Sequence, residues 1–377
     1  MKILYGVVGE GMGHATRSRV VLDHLTKKHE VHVVVSGRAY DFLSARFPNV
    51  HKIWGASIAY EDNAVNKLKT ALQNVKGALT GVPENVKQYV EISEKFTPDC
   101  VISDFDTFAY LYGVNWMRPV ISIDNMQIIN RCAHEPAITD GHEADFQLTK
   151  NIVKGKLPGC YHYLITTFFH PPVRKPRTTL LPPILRPEIL AARSEKGEHL
   201  LVYQTSTSNK DLPEILKKSK LPCRIYGLRR DIKEDVVDGP LTYRPFGEQA
   251  FIDDLRTSKA VIANGGFTLM GECVYLHKPL LCIPVGGQFE QVLNARYLEE
   301  LGFGLYIPEL KADLLKRFLL QIPFFAEKLS AYSQDGNKLL LGKVDELLEQ
   351  VAAGRGLAPG AVSDEPPSLE SPAFRER

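Results

Sequence analysis

His14 is the first residue whose type and place could do chemistry. It follows an apolar run, Ile3-Leu4-Tyr5-Gly6-Val7-Val8, and a glycine loop, Gly9-Glu10-Gly11-Met12-Gly13. A helical pattern begins just after it, from Ala15 to Lys28, with Val20, Val21 and Leu25 apolar. A neutral imidazole at such a strand-to-helix turn is a candidate general base. Its natural partner is an acid at the end of a neighbouring strand. The stretch Val101-Ile102-Ser103-Asp104-Phe105-Asp106 offers two. A carboxylate beside a neutral imidazole fixes its tautomer and stabilises the imidazolium formed on proton abstraction, and Asp104 is assigned that role. Asp106 and Arg17 are taken as contacts to an acceptor or a phosphate. Asp104-Phe105-Asp106 also spells DxD, a pattern that elsewhere holds a divalent metal, and one of the two aspartates could instead cap the following helix.

A second cluster lies in residues 263–295. Ala260-Val261-Ile262-Ala263 reads as a buried strand broken by Asn264-Gly265-Gly266. A helix follows from about Phe267 to Leu276, carrying Thr268 and Glu272. Another apolar strand ends at Pro284, and after Gly286-Gly287 come Gln288, Glu290, Gln291 and Asn294 at a helix start. Two strands thus end in loops that open helix N-termini. Glycine amides there suit an anion such as phosphate, and the amides and carboxylates suit neutral hydroxyls. A phosphate plus several hydroxyls is what a nucleotide-sugar presents. The donor set is therefore Gly13, Thr205, Ser206, Asn264, Gly265, Gly266, Thr268, Glu272, Gln288, Glu290, Gln291 and Asn294. Thr205 and Ser206 belong to a hydroxyl-rich loop after the strand His199 to Tyr203, which could equally be a polar turn.

The elements that must position these residues read as α/β. Strand, glycine loop, helix and the strand Val31 to Val35 open the chain, as in a Rossmann-like domain. A dinucleotide fingerprint is incomplete here. His14 stands where the last glycine of GxGxxG belongs, and the second strand ends Ser36-Gly37-Arg38 without an acid. Arg38 would suit a 2′-phosphate, so a nicotinamide-phosphate site is the rival reading of this loop. Residues 170–188 hold many prolines without periodicity and read as a linker. The boundaries that follow are 1–170 for a first Rossmann-like domain, 171–196 for the linker, 197–350 for a second and 351–377 for a disordered tail rich in Pro, Gly, Ser and charge. Residues 61–92 show an amphipathic face (Leu68, Leu72, Val75, Leu79) among lysines. They form either a solvated helix or a peripheral membrane or acceptor contact.

Composition narrows the class. A length of 377 residues suits two domains. A net charge of +2 leaves no nucleic-acid footprint. The six cysteines show no CxxC pair and no metal spacing, which fits reduced thiols in a cytoplasmic protein. No apolar run approaches the ~20 residues a membrane span needs, and the start of the chain reads as a strand rather than a signal peptide. No cofactor or metal is expected.

Three motifs carry a resemblance that covers most of residues 1–350: Gly11-x-Gly13-His14, Asp104 in VISDF, and Gly266-x5-Glu272 followed by Pro279, Pro284 and Glu290-Gln291-x-x-Asn294-Ala295. Together they resemble the GT-B glycosyltransferases, closest to the UDP-glycosyltransferase and MurG-like group. The resemblance implies two Rossmann-like domains with a cleft between them. It implies an inverting, metal-independent transfer from a nucleotide-sugar, by family preference a UDP-sugar, to an acceptor hydroxyl of unknown identity. It gives His14 as base, Asp104 as its orienting acid, Glu272 as the ribose contact, and Glu290 and Gln291 as contacts to the donor sugar. Two departures stand out. Asn264 occupies a place where members usually carry a pyrophosphate-touching histidine, which shifts leaving-group stabilisation onto backbone amides. Arg17, in GHATR, is not general among plant-type members but recurs in bacterial and archaeal GT-B proteins and in a MurG-like nucleotide-sugar hydrolase. The rival activities are that hydrolase, with His14 activating water, a GT-B-type 2-epimerase, and a nucleotide-sugar-binding protein without turnover.

Overall fold

The computed structural model describes residues 1–9, 11–56, 60–61, 64–204 and 211–361. Thr205, Ser206 and most of the predicted tail lie outside the described residues. The strands, in chain order, are β1 (Lys2–Val7), β2 (Glu30–Ser36), β3 (Val50–Ile53), β4 (Tyr60–Glu61), β5 (Ala64–Val65), β6 (Cys100–Asp104), β7 (Val120–Asp124), β8 (His162–Thr166), β9 (Thr178–Leu181), β10 (Leu200–Tyr203), β11 (Cys223–Tyr226), β12 (Val236–Asp238), β13 (Leu241–Tyr243), β14 (Ala260–Ala263), β15 (Leu280–Cys282) and β16 (Gly304–Tyr306). The helices are α1 (Met12–Leu25), α2 (Ala39–Ser44), α3 (Lys67–Lys95), α4 (Thr107–Asn115), α5 (Ile128–Arg131), α6 (Pro136–Thr139), α7 (Glu143–Lys156), α8 (Pro187–Leu190), α9 (Leu212–Lys218), α10 (Glu248–Arg256), α11 (Phe267–Tyr275), α12 (Phe289–Glu300), α13 (Ala312–Leu329) and α14 (Lys338–Ala352).

Two seven-stranded sheets result. The first runs β3-β2-β1-β6-β7-β8-β9, all parallel, and the second runs β12-β13-β11-β10-β14-β15-β16, antiparallel only at the β12 edge. Strands such as β6, β7 and β14 are buried along their whole length. That is why their sequences are nearly continuous apolar runs: helices cover both faces of a parallel sheet. In each sheet the strand order reverses once, between β1 and β6 and between β10 and β14. Ligands bind in the crevice at such a switch point, beyond the carboxyl ends of the strands. The chain is thus α/β of GT-B type, with two Rossmann-like units, as the sequence predicts.

The structure redraws two of the expected boundaries. Residues 178–181 of the proline-rich stretch form β9, the edge strand of the first sheet. Helix α14 crosses back to that first unit. Its Leu340, Val344, Leu347 and Leu348 pack with Ile3, Val21, Leu25 and Ile123, His24 Nε2 lies 2.8 Å from Asp345 Oδ1, and the Tyr161 hydroxyl donates to Gln350 Oε1 at 2.7 Å. The amphipathic pattern of α14 shows that it must pack; local sequence does not say against which unit. An aromatic seam ties the units elsewhere, with Phe168 stacked on Phe267 and Phe169 on Tyr297 at centroid distances of 5.8 and 4.1 Å.

Candidate active site

The switch point of the first sheet places His14 and Asp104 side by side. Val7 pairs with Asp104 in parallel register, so the loop after β1 opens next to the end of β6. Helix α1 then begins, with His14 in its first turn and Arg17 one turn later on the same face. His14 Nδ1 lies 2.9 Å from Asp104 Oδ1. Arg17 forks onto the same carboxylate, Nε donating to Oδ2 at 2.8 Å and Nη2 to Oδ1 at 2.5 Å. Ser18 Oγ donates to Oδ2 at 3.0 Å. Burial by itself would push the Asp104 carboxyl up; Arg17, then His14, outweigh it and hold the group far below the usual carboxylate range. His14 is pushed below its ordinary value, by burial first and by the Arg17 charge second, against the pull of Asp104.

One chain of hydrogen bonds joins this pair to the second unit. Arg17 Nη1 donates to Asn125 Oδ1 at 2.8 Å. Asn125, which follows the end of β7, donates through Nδ2 to Glu290 Oε1 at 2.7 Å. Asn294, one turn on in α12, donates to the same oxygen at 2.8 Å and to the Gly265 carbonyl at 3.1 Å. Burial raises the Glu290 carboxyl, while Asn294 and Asn125 pull it back. Gln291 staples the loops after β14 and β15: its Oε1 accepts from the amides of Gly265 at 3.2 Å and Val285 at 3.0 Å, and its Nε2 donates to Gln288. The loop comes so close that a Cβ on Gly265 would stand 2.5 Å from the Gln291 carbonyl oxygen.

Two helix N-termini meet in the cleft. Helix α1 is capped by Gly11 and α11 by Gly266, neither with a side-chain cap, so their first amides have no side-chain acceptor there. A Cβ on Gly13 would stand 2.7 Å from Thr268 Oγ1, which puts the two helix starts in contact and gives Gly13 a packing reason. Asn264 Nδ2 donates to the Ile283 carbonyl at 2.8 Å, bridging the ends of β14 and β15. Its amide is therefore used to hold the two loops together.

Two expected roles change, and Glu272 gains a partner. Arg17 is 4% exposed and its guanidinium is fully engaged with Asp104, Asn125 and the edge of His14. It is a buried partner of His14 and Asp104 rather than an open contact for an acceptor or phosphate. Asp106 is the N-cap of α4, its Oδ1 accepting from the Ala109 amide at 2.8 Å, and burial lifts its carboxyl to about 6. Ser103 Oγ donates to the Asp106 carbonyl, so Asp106 is turned into the strand–helix corner. Asp104 is bonded to Arg17, His14 and Ser18 and Asp106 to the Ala109 amide, so the helix-cap reading is the one realised at Asp106. Glu272 does lie in the second unit's switch region, but it is 2% exposed and paired bidentately with Arg186, Nε to Oε1 at 2.7 Å and Nη2 to Oε2 at 2.9 Å. Each of its oxygens keeps a second lone pair for a hydroxyl.

Two residues in this network were not singled out from sequence. Asn125 directly follows β7 on the same sheet edge as Asp104, so the strand-end rule that selects Asp104 could have found it. Arg186 sits in the proline-rich stretch, where nothing local marks it. It also donates to Glu248 at 2.9 Å, while Arg19 of α1 donates to Glu188 of α8 at 2.5 Å, so the segment between the sheets is fastened to both units by charge-assisted bonds.

Comparison with known proteins agrees with this architecture. A sequence model described as Glycosyl transferase family 1 matches residues 1–323. No curated protein sequence matches the chain. Among solved structures, a glycotransferase of kitacinnamycin is similar over 93% of this chain and 98% of its own, at 14% identity and a TM-score of 0.64. A UDP-glucosyltransferase from Polygonum tinctorium, described as capable of glucosylating indoxyl, is similar over 92% and 98%, at 16% identity and a TM-score of 0.62. A spinosyn rhamnosyltransferase is similar over 93% and 100%, at 17% identity and a TM-score of 0.57. At these identities the structural likeness speaks for the fold.

Proposed function

The chain belongs to glycosyl transferase family 1 and is a glycosyltransferase; on that premise we propose a metal-independent, inverting transfer from a nucleotide-sugar, preferably a UDP-sugar, to an acceptor hydroxyl. His14 Nε2 takes the proton from that hydroxyl as its oxygen bonds to the anomeric carbon. The bond from that carbon to the diphosphate oxygen breaks, and the nucleoside diphosphate leaves with the electron pair. Its charge faces the uncapped starts of α1 and α11. Glu290 and Gln291 take the sugar hydroxyls, and Glu272 the ribose. The observation that carries the reading is the continuous hydrogen-bonded path from Asp104 through Arg17 and Asn125 to Glu290, which fixes base and sugar-binding loop in one frame.

Incubation with UDP-sugars in the absence of acceptor tests the reading. The expected result is donor that stays largely intact until a hydroxyl acceptor is added. Fast stoichiometric release of free sugar would overturn transfer in favour of hydrolysis, with His14 activating water. Tight donor binding without turnover across a broad acceptor panel would mark a binding protein.

The acceptor side includes α3. Its Leu68, Leu72, Val75, Leu79, Val82, Val86 and Val90 form one outward row, each between 47% and 75% exposed. Spacings of four and three keep them on one face. Lys69, Lys76 and Lys87, seven and eleven apart, line one side of that row. Gly77 and Gly81 turn the opposite side onto Trp54. Just before the helix, Val65 N donates to the Gly286 carbonyl at 2.8 Å, so the helix starts at the mouth of the cleft. An apolar row with a lysine flank suits an anionic lipid surface, and we place the protein in the cytoplasm with a peripheral contact of this kind. The buried cysteines, none in a disulfide, fit a reducing compartment. Co-sedimentation with phosphatidylglycerol-containing vesicles is expected to fall at least about tenfold in a Leu72→Glu/Leu79→Glu variant and to weaken with salt, as each lysine near such a surface contributes about 1 kcal/mol. Equal binding by both proteins would remove the membrane from the list of partners.

A further inference from the structure

Asp104 Oδ1, His14 Nδ1 and Arg17 Nη2 form a tight triangle, with sides of 2.9, 2.7 and 2.5 Å. A carboxylate offers about four lone-pair sites. Arg17 Nε and Ser18 fill two on Oδ2, and Arg17 Nη2 fills one on Oδ1. The fourth faces His14 Nδ1. Without a proton, Nδ1 would have to accept from Arg17 Nη2, 2.7 Å away. That nitrogen lies closer to Oδ1, at 2.5 Å, and its charge-assisted bond to the carboxylate is the stronger use of its proton. We assign the ring proton to Nδ1, where it fills the fourth site on Oδ1. The neutral ring is therefore the Nδ1–H tautomer, which leaves Nε2 free to accept a proton.

The same triangle limits what the carboxylate does to the ring. An unaccompanied aspartate would raise the basicity of a histidine. Here the guanidinium forks onto that aspartate and lies against the ring as well, so the charges beside the imidazole cancel. Other charged groups facing this corner are Lys156 of α7, Asp124 of β7 and Glu290 of α12, the last two attached to the network through Arg17 and Asn125. We propose that Arg17 is a positioning residue that separates two jobs of Asp104: it lets the acid fix the His14 tautomer while cancelling the charge that would make His14 a stronger base. This inference rests on His14 being the base, and it uses a readout that does not depend on turnover.

Nitrogen-15 NMR of the histidine rings in the whole protein gives both tautomer and titration point. The expected result is Nδ1–H for His14 and a midpoint below the ordinary ~6.5. In Arg17→Met, the midpoint should rise from its wild-type position, and the acid limb of kcat/KM should move up with it. Arg17→Lys, which keeps the charge, should stay low. An Nε2–H tautomer in the wild type, or a wild-type midpoint at or above ~6.5, overturns the proposal. So does an Arg17→Met variant that is less stable but titrates as the wild type does. Should Arg17→Met not fold, Arg17→Gln, which removes the charge but keeps a donor toward Asp104, should show the same upward shift, and its absence overturns the proposal. A His14→Ala variant of normal rate would remove the base reading instead, and leaves the NMR result standing by itself.

Discussion

Replacing His14 by alanine is expected to lower kcat by about 10²- to 10⁴-fold, the usual contribution of a positioned general base, while the affinity for a nucleotide-sugar stays within about threefold. The separation follows from the geometry. His14 stands on α1 of the first unit, whereas Asn264, Gly265, Glu290, Gln291 and Asn294 hold one another in the second. The Gln291 oxygen accepts from the Gly265 and Val285 amides, and Glu290 is held by Asn125 and Asn294. None of these bonds involves the imidazole, so its loss removes the proton acceptor and leaves the donor loops intact. The measurement is steady-state kinetics beside a thermal-shift titration with donor. A near-normal kcat would exclude His14 as the base. A collapse of donor affinity with kcat preserved would mean that His14 binds the donor.

The sequence makes His14, Asp104 and the loops after β14 and β15 legible as candidates because each sits at a strand end, where an apolar run stops at a chemically distinctive residue. His14 after β1, Asp104 at the end of β6 and Asn264 after β14 all follow that rule. The switch points then bring the strand ends together, which strand order predicts and local sequence does not. What escaped was long-range pairing. Arg17 reads from sequence as a contact to an acceptor or phosphate; only the fold shows that the end of β6 lies opposite. Arg186 and Glu272 are far apart in sequence and belong to segments of unrelated pattern, so their ion pair has no local signal. Helix α14 is the same case for packing. The apolar period predicts a buried face, but the core that receives it lies more than 300 residues away, around Ile3 and Val21. Asp106 shows the converse, where a metal pattern and a helix cap share one spelling and the backbone decides: Asp106 has extended backbone and accepts from the Ala109 amide.

Asp104→Ala is expected to cost about 3–5 kcal/mol of stability, the range for removing one partner of a buried ion pair, in addition to most of the activity. The cost arises from what remains. Arg17 would keep its bond to Asn125 but lose both bonds of its fork, leaving a buried cation without a counter-charge. Removing both partners in Asp104→Ala/Arg17→Met should recover a large part of the stability, because the desolvated charge is gone, yet recover no activity, because His14 still lacks its orienting acid. That split distinguishes a structural loss from a catalytic one, and denaturant unfolding of the four proteins of the cycle measures the coupling. The pH dependence has a definite sign. The folded-state value of Asp104 is held below the unfolded ~3.9, so its stabilisation is fully present above about pH 4 and is lost as pH falls toward the folded value. The deficit of the alanine variant should therefore be greatest near neutrality and shrink below about pH 4. Asp106 and Asp124, both lifted to about 6 by burial first and in part by the Asp104 charge, act in the opposite sense between about pH 4 and 6, so the comparison is read from the change in the deficit below about pH 4. A deficit that grows on acidification, or a double variant no more stable than Asp104→Ala, would mean that the Arg17–Asp104 pair does not hold the first switch point together.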